Sequence, residues 1–415
     1  MNIAIVGAGI TGISTALELA RDGHHVTVYE QMNAAAEDAS FAPGGWLSPS
    51  AAQSLAAPGA GMDLQQLQNS NGLLQASSMI GSATWRWMRQ WKKHEKNAAE
   101  HGNHAFSQAL HALSNYSASL RWQDCADTDM AAERKSGSLV FLRTPQEVEF
   151  WNAQLDLLQT QGTSIQLASP QQAQTLEPGL GQEIAWLKAL HFPEAESINP
   201  RLWTQFMRMQ AQEIGVRFVT GTSIQRLHHQ PTGVEIAGQM KPYDAVVLCT
   251  GANQHLLSTL GLQLPLMPIA GYSITAPVRD SLHAPRAAIM DWSQQAIISR
   301  MGQRIRITAG LEMATPADAQ HHKPTLERMY RLLNDWFPGG AQLSSAQVQV
   351  WRGVRGYLPD GLPALGNSGH AGIWVNLAHG SHGASLASGC ARALADMLLQ
   401  RAPAIDMQAF SPLRF

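Results

Sequence analysis

The chain has 415 residues, 45% hydrophobic and 14% charged, which excludes wholesale disorder and a peptide-sized scaffold and leaves room for two domains. Lys and Arg number 29 against 31 Asp and Glu, and a net charge of −2 argues against nucleic acid or another polyanion as the main partner. The three cysteines, Cys125, Cys249 and Cys390, are too few and too widely spaced for a disulfide framework or a metal knuckle, so a reducing, cytoplasmic setting is expected.

No apolar run reaches the ~18 residues that cross a bilayer, and the first residues have neither the basic leader nor the cleavage region of an export signal. Ile3 to Val6 is a short β-branched run that reads as a strand buried on both faces of a parallel sheet. It opens into Gly7-Ala8-Gly9-Ile10-Thr11-Gly12, a G-x-G-x-x-G match. In that pattern the first glycine makes the turn, the second admits a pyrophosphate and the third lets helix pack on strand. Ile10, Ile13, Leu17 and Ala20 have helical spacing, and Arg21-Asp22-Gly23 ends the helix. His25 to Glu30 alternates like a second strand, with Glu30, followed by Gln31, where a carboxylate can hold an adenosine ribose. Strand, glycine loop, helix, strand and acid in this order predict a dinucleotide site, without deciding between FAD and NAD.

Residues Phe41 to Gly61 are too broken by Pro and Gly for a helix or a central strand. They read either as a linker or as backbone laid against a cofactor. A helical pattern follows from Leu64 to Ala132, and within it Trp85 to Lys93 mixes tryptophans with cations. That mixture suits a membrane surface, or a helix with its tryptophans in the core and its cations in water. Gly137 to Leu142 reads as a strand and Thr144 to Gln161 as an amphipathic helix. Val216–Thr220, Ser223–His228, Gly233–Ile236 and Ala245–Leu248 read as strands, the last ending in Cys249-Thr250-Gly251. Ser273–Thr275, Ala296–Ser299 and Ile305–Thr308 suggest a second, antiparallel sheet, followed by a helix from Thr325 to Trp336.

Trp351 to Gly361 reads as a short loop carrying Arg352 and Arg355 ahead of a Pro-Asp-Gly turn. A guanidinium fork at Arg355 suits a substrate carboxylate. Ile373 to Leu377 is a buried-type strand opening into Ala378-His379-Gly380-Ser381-His382-Gly383, then a helix to Gln400. The small residues and the helix N-terminus there would stabilise negative charge. His379 and His382 lie three apart among glycines, with no acidic or cysteine ligand close by, so no metal site is expected.

With Ala39-Ser40-Phe41-Ala42, Gly271-Tyr272-Ser273, Arg304-Ile305-Arg306, Arg355 before Pro359-Asp360-Gly361 and His379-Gly380 added to the glycine motif, the chain resembles the D-amino-acid oxidase superfamily. These are FAD-dependent amine and amino-acid oxidoreductases, and the likeness is greatest to their bacterial D-amino acid dehydrogenase branch. The resemblance implies an α/β fold, a Rossmann-like FAD-binding domain interleaved with an α+β substrate domain on an antiparallel sheet. The expected segments are 1–75, 195–265 and 350–415 for the first domain, and 76–194 and 266–349 for the second. FAD, held non-covalently, would lie along Gly7, Gly9, Ile10, Thr11, Gly12, Glu30 and Gln31, then Ser40, Phe41, Ala42, Gly44, Gly45, Trp46 and Leu47. Thr250, Gly251, Arg355, His379, Gly380, Ser381, His382 and Gly383 would complete the cofactor set. Arg355 would clamp the substrate carboxylate with Tyr272 beside it, the alternative for Tyr272 being aromatic packing.

The implied reaction is oxidative deamination of an amino acid, D-configured substrates favoured, by hydride transfer from Cα to flavin N5. Electrons would pass to a quinone or another non-oxygen acceptor, with a peripheral contact at the inner membrane. The rivals are a glycine or sarcosine-type amine oxidase using oxygen and an FAD-dependent 2-hydroxy-acid dehydrogenase. Where the family has Asn-Ala this chain has Pro43-Gly44, where it has Pro the chain has Gly356, and Ser381-His382 replaces a threonine-led stretch.

Overall fold

The computed structural model describes residues 1–47, 74–76, 81–101, 105–121, 132–160, 162–313 and 322–415. The Ser48-Pro49 part of the glycine-rich stretch, Cys125 and His321 lie outside them. In chain order the elements begin with β1 (Asn2–Val6), α1 (Ile10–Arg21), β2 (His25–Tyr29), β3 (Trp46–Leu47), β4 (Leu74–Ala76), α2 (Ser82–His101) and α3 (Ala105–Arg121). Next come β5 (Lys135–Leu142), α4 (Pro145–Thr160), β6 (Gln166–Ala168), α5 (Pro170–Leu176), β7 (Lys188–Ser197), α6 (Pro200–Glu213), β8 (Arg217–Val219), β9 (Arg226–His229), β10 (Thr232–Ile236), β11 (Gln239–Pro242) and β12 (Ala245–Leu248). The remainder is α7 (His255–Ser258), β13 (Met267–Pro277), β14 (Ala288–Asp291), β15 (Ala296–Met301), β16 (Arg304–Met313), α8 (Lys323–Trp336), β17 (Gln349–Tyr357), β18 (Ala364–Asn367), β19 (Ile373–Leu377) and α9 (Gly383–Leu398).

A six-stranded sheet runs β18-β19-β12-β1-β2-β8, parallel except at its β18 edge. Strand β1 is covered on both faces, as its unbroken apolar run predicts. Ile3 and Ile5 pack with Ile13 and Leu17 of α1, Trp203 of α6 and Leu394 of α9. Ala4 and Val6 face the other way, with Leu227 and Val234 of the three-stranded β11-β10-β9 sheet. Because β1 leads into β2 on one side and pairs with β12 on the other, a crevice forms at the carboxyl ends of these strands, as in Rossmann-type sheets.

The second sheet has ten strands, running β17-β13-β16-β15-β14-β5-β7-β3, with β4 and β6 paired off that path. One of its faces packs against α8 through Ile274, Ile305 and Ile307 against Met329, Leu333 and Trp336. Three placements bear on where the expected segments divide. Strand β17 pairs with β13 and so lies in the ten-stranded sheet, although residues from 350 onward are expected with the first. Strand β3 joins the same sheet through β7. Helix α3 buries Leu110 and Leu113 in the core shared by α1 and α9, although it falls within 76–194. In each case a partner distant in sequence decides the placement, and local pattern carries no trace of it.

Trp351 to Tyr357 is a strand and not the expected loop, and β11 is an additional strand. Helix α2 forms as expected, with Trp87 and Trp91 buried against Met267, Ile269 and Tyr357 while Trp85 stays 60% exposed. No helix among the described residues is long and apolar enough to cross a membrane.

Candidate functional site

The glycine turn after β1 closes tightly. Gly7 has φ +107°, and its N–H donates to the Tyr29 carbonyl at 2.8 Å. A Cβ on Gly12 would lie 1.9 Å from the Gly7 carbonyl oxygen, so that position accepts no side chain. Helix α1 starts at Ile10 with no side-chain cap from Gly9, and its first N–H donates to Ser40 Oγ at 3.0 Å. Ile10, at the positive end of the helix dipole, lines a cavity. Thr11 is buried and its carbonyl accepts from Thr15 Oγ1. The Glu30 carboxylate accepts from the Ala8 N–H at 2.7 Å and the Met32 N–H at 2.8 Å, which ties the acid to the glycine turn, with Gln31 exposed beside it. Thr250 and Gly251 follow β12 at the neighbouring strand end, where Thr250 Oγ1 donates to the Asn253 carbonyl at 2.5 Å.

Between this crevice and the ten-stranded sheet lies a cavity of about 1340 Å³, counted with the solvent it opens onto. One wall comes from Ile10, Ser40, Ala42, Gly44, Gly45 and Trp46 together with Gly380, Ser381, His382 and Gly383. The ten-stranded sheet, to which Trp46 also belongs, adds Tyr272, Ser273, Thr308, Leu311 and Arg355 to the lining. Of the predicted residues, Ile10, Ser40, Ala42, Gly44, Gly45, Trp46, Tyr272, Arg355 and Gly380 to Gly383 are therefore brought together. Phe41 is not in the lining; it packs on Trp351 with ring centroids 4.4 Å apart and planes tilted by 34°, beneath the Arg201 guanidinium. Leu47 points into the core, away from the cavity.

Arg355 sits two residues before Tyr357 on β17, and both side chains meet Ser381. Arg355 Nη1 donates to Ser381 Oγ at 2.9 Å, and the Tyr357 hydroxyl and Ser381 Oγ are 2.5 Å apart. No carboxylate pairs with Arg355 among the described residues, so the rest of its fork is available to a ligand. Tyr272 lines the cavity, but its hydroxyl donates to Glu312 Oε2 at 2.5 Å and accepts from the His322 N–H at 3.1 Å. Burial and the Glu312 bond raise its pKa. Burial pushes His379 down to about 4, and burial together with the Arg355 charge does the same to His382. Both imidazoles are neutral at pH 7. Among the described residues no group of three His, Cys, Asp or Glu could hold a metal.

Sequence reasoning missed a set of polar residues on the cavity side of β13, β15 and β16. Ser273 and Thr308 line the cavity, and behind them Arg306 and Ser299 hold the Pro43–Gly44 backbone, with Thr275 Oγ1 accepting from Arg306 Nε. Their signal is a polar residue at every second place in strands otherwise apolar, as in Arg304-Ile305-Arg306-Ile307-Thr308.

A family model described as FAD dependent oxidoreductase matches residues 2–397. The chain is 33% identical over 413 residues to a D-amino acid dehydrogenase of Cereibacter sphaeroides, covering 98% of this chain and 93% of that one. It is 31% identical over 425 residues to another of Methylobacterium sp., covering 100% and 99%. Among solved structures, glycine oxidase from Geobacillus kaustophilus shares the fold with a TM-score of 0.73 at 20% identity, covering 100% of this chain and 98% of that one. L-proline dehydrogenase from P. horikoshii does so with a TM-score of 0.74 at 17% identity, covering 100% and 97%.

The site's own residues fit FAD. Helices α1 and α9 both start without a side-chain cap, and the first turns of both line the cavity, a provision for negative charge at two points. A Cβ on Gly44 would lie 2.5 Å from Thr308 Oγ1, which keeps this stretch as bare backbone at the cavity wall. Ser273 Oγ, Trp351 Nε1 and His379 Nε2 are buried without a hydrogen-bond partner in the protein, and Ser273 and Trp351 line the cavity.

Proposed function

The chain belongs to the family of FAD dependent oxidoreductases, and on that footing we propose that it oxidises an amino acid at Cα, D-configured substrates favoured. The product is an imino acid that water converts to a 2-oxo acid and ammonia, and the electrons go on to a quinone or another non-oxygen acceptor. Two D-amino acid dehydrogenases similar over nearly their whole length support this reading. The observation that carries it is Arg355, a cavity guanidinium anchored at one nitrogen by Ser381 and paired with no carboxylate among the described residues. Such a fork binds a carboxylate bidentately and fixes the Cα it is attached to.

Bound FAD supplies the electron sink for the two electrons that leave Cα. The residues that would hold it are the Gly7–Gly12 turn, Glu30, Ser40 to Gly45 and Gly380 to Gly383. Attachment is non-covalent on this reading, which the described residues support in that their cysteines, Cys249 and Cys390, are buried thiols whose pKa values burial pushes up. Tyr272 acts as a positioning residue in the sheet wall, its hydroxyl committed to Glu312. Exposed Trp85 with Arg86, Arg89, Lys92 and Lys93 on α2 supports a peripheral membrane contact. Sedimentation with anionic vesicles checks this contact, and binding that survives Trp85→Ala together with reversal of these charges overturns it.

The deciding experiment is an anaerobic screen for loss of flavin colour with D-amino acids, L-amino acids, sarcosine, glycine and 2-hydroxy acids. Bleaching by D-amino acids with release of ammonia is expected, followed by slow recolouring in air and fast recolouring with a quinone. Bleaching confined to glycine or sarcosine with fast recolouring in air, or to hydroxy acids without ammonia, overturns the reading.

A further inference from the structure

Three adjacent strands carry one row of polar side chains beside the cavity. The register sets Arg306 of β16 opposite Thr275 of β13 on one side and opposite Ser299 of β15 on the other. All three are buried, Arg306 at 7% exposure. Arg306 Nε donates to Thr275 Oγ1 at 2.8 Å and its Nη1 to the Pro43 carbonyl at 3.1 Å, while the Ser299 hydroxyl donates to the Gly44 carbonyl at 2.8 Å. The next row on the same face, Ser273, Thr308 and Ile297, lines the cavity itself. The intervening Ile305 and Ile307 point into the core behind the sheet.

Holding two carbonyls requires donors, not charge; Ser299 does its share with a hydroxyl. Arg306 nevertheless brings a cation, and among the described residues no carboxylate forms an ion pair with it. Of the charges acting on it, Arg304 and Arg201 repel, and the attracting Glu133 spends one carboxylate oxygen on Asn199 Nδ2 at 2.9 Å. A buried, unpaired guanidinium is costly to the fold. Burial pushes its pKa down to about 10, which leaves it charged at pH 7. What repays a fixed cation is negative charge that develops next to it, in surroundings where water cannot screen the attraction.

We propose that Arg306 sets the electrostatic potential of the cofactor cavity, stabilising the negative charge that FAD gains on reduction and thereby raising its reduction potential. The separation between the Arg306 row and the cavity row is two residues along a strand, about 7 Å. The inference rests on the family's cofactor and not on the amino-acid substrate, and its test uses no substrate, so the two readings fail separately.

The test is an anaerobic reductive titration of the holoenzyme against reference dyes, comparing wild type, Arg306→Gln and Arg306→Lys, with the FAD dissociation constant measured for each. Gln keeps a donor for the Pro43 carbonyl and removes the charge; Lys keeps the charge. Arg306→Gln is expected to make reduction at least tenfold less favourable, about 30 mV for a two-electron couple, while Arg306→Lys stays near wild type. A purely structural role predicts that both variants change FAD affinity and neither changes the potential of the FAD still bound; that result overturns the proposal. If Arg306→Gln fails to fold, Ser299→Asp leaves Arg306 in place and sets a carboxylate opposite it. The potential should then fall in the same direction, and an unchanged value is refutation.

Discussion

Gly271 offers a sharp test of how Arg355 is held. It lies on β13 opposite Gly353, and a Cβ built on it would fall 2.0 Å from Arg355 Nη2 and 3.0 Å from Cζ. Its φ lies outside the positive region, so the backbone accepts alanine, and the neighbour that must yield is the far end of a flexible side chain. Ordinary contact begins at 3.4 Å, so the guanidinium has to retreat by about 1.4 Å (3.4 minus 2.0). The 2.9 Å bond from Nη1 to Ser381 does not survive that movement, and the fork no longer meets a carboxylate square on. A misplacement of about 1 Å costs up to ~100-fold in rate, and losing a charge-assisted hydrogen bond costs about 1.5–3 kcal/mol, or ~10- to 100-fold. Gly271→Ala should therefore lower kcat/KM by roughly 30- to 100-fold, mostly through KM, with FAD content and the thermal midpoint near wild type. Steady-state kinetics with a dye acceptor, flavin absorbance per chain and a melting curve measure the three quantities. Arg355→Ala should lose at least as much activity, and adding Gly271→Ala to it should cost nothing more, because the two changes act through the same contact. Wild-type kinetics in Gly271→Ala, or a further loss on the Arg355→Ala background, would refute the reasoning.

Three other expectations follow from the same geometry. Gly12→Ala drives a Cβ to 1.9 Å from a backbone oxygen that cannot move aside, so the chain should purify without yellow colour and melt earlier; normal flavin content would contradict the tight-turn reading. Tyr272→Phe removes a hydroxyl that serves Glu312 and His322, so its effect should appear in the melting temperature, with kcat/KM changed less than about tenfold; the opposite pattern would make Tyr272 a substrate contact. His382 is held at about 4 against an ordinary 6.5. Between those values the unfolded chain takes up a proton that the folded chain refuses, so this group's share of stability is full above pH 6.5 and is lost as pH falls toward 4. His382→Gln should thus show a smaller drop in urea midpoint from pH 7.5 to 5.0 than wild type, and equal drops would discard the assignment.

The first thirty residues were legible because each link has a local cause. A β-branched run buried on both faces, glycines where a Cβ collides, and an acid at the end of the next strand are all decided within a few residues. Arg355 is visible in the sequence as a guanidinium, but its place on a strand is not. Gly353 and Gly356 interrupt the apolar alternation of Gln349–Tyr357, so the segment resembles a loop, and its strand character comes from pairing with β13 about eighty residues earlier. The same distance effect hid the places of β3 and α3, whose partners are Ser197 and Glu196 for one and the core around α9 for the other. For Tyr272 the sequence leaves a place beside the substrate and aromatic packing both open, and the bond of its hydroxyl to Glu312 is set by side-chain geometry that spacing does not encode.

The departures from the family pattern gain a physical meaning from the sheet behind them. Proline at 43 has no N–H to offer, and its φ is fixed near −65°, so what this residue presents to its surroundings is a carbonyl. That carbonyl is the acceptor Arg306 uses, and the adjacent Gly44 carbonyl is the one Ser299 uses. A loop that contributes acceptors needs donors opposite, and two neighbouring strands supply them at one register position, Arg306 from β16 and Ser299 from β15. Part of the cavity lining, at Gly44, Gly45, Gly380 and Gly383, is thus bare backbone, whereas the sheet lines it with side chains at alternate strand positions. Sequence motifs report the first kind of construction directly, because glycine is visible wherever it occurs; the second kind becomes visible only once the register of the strands is known.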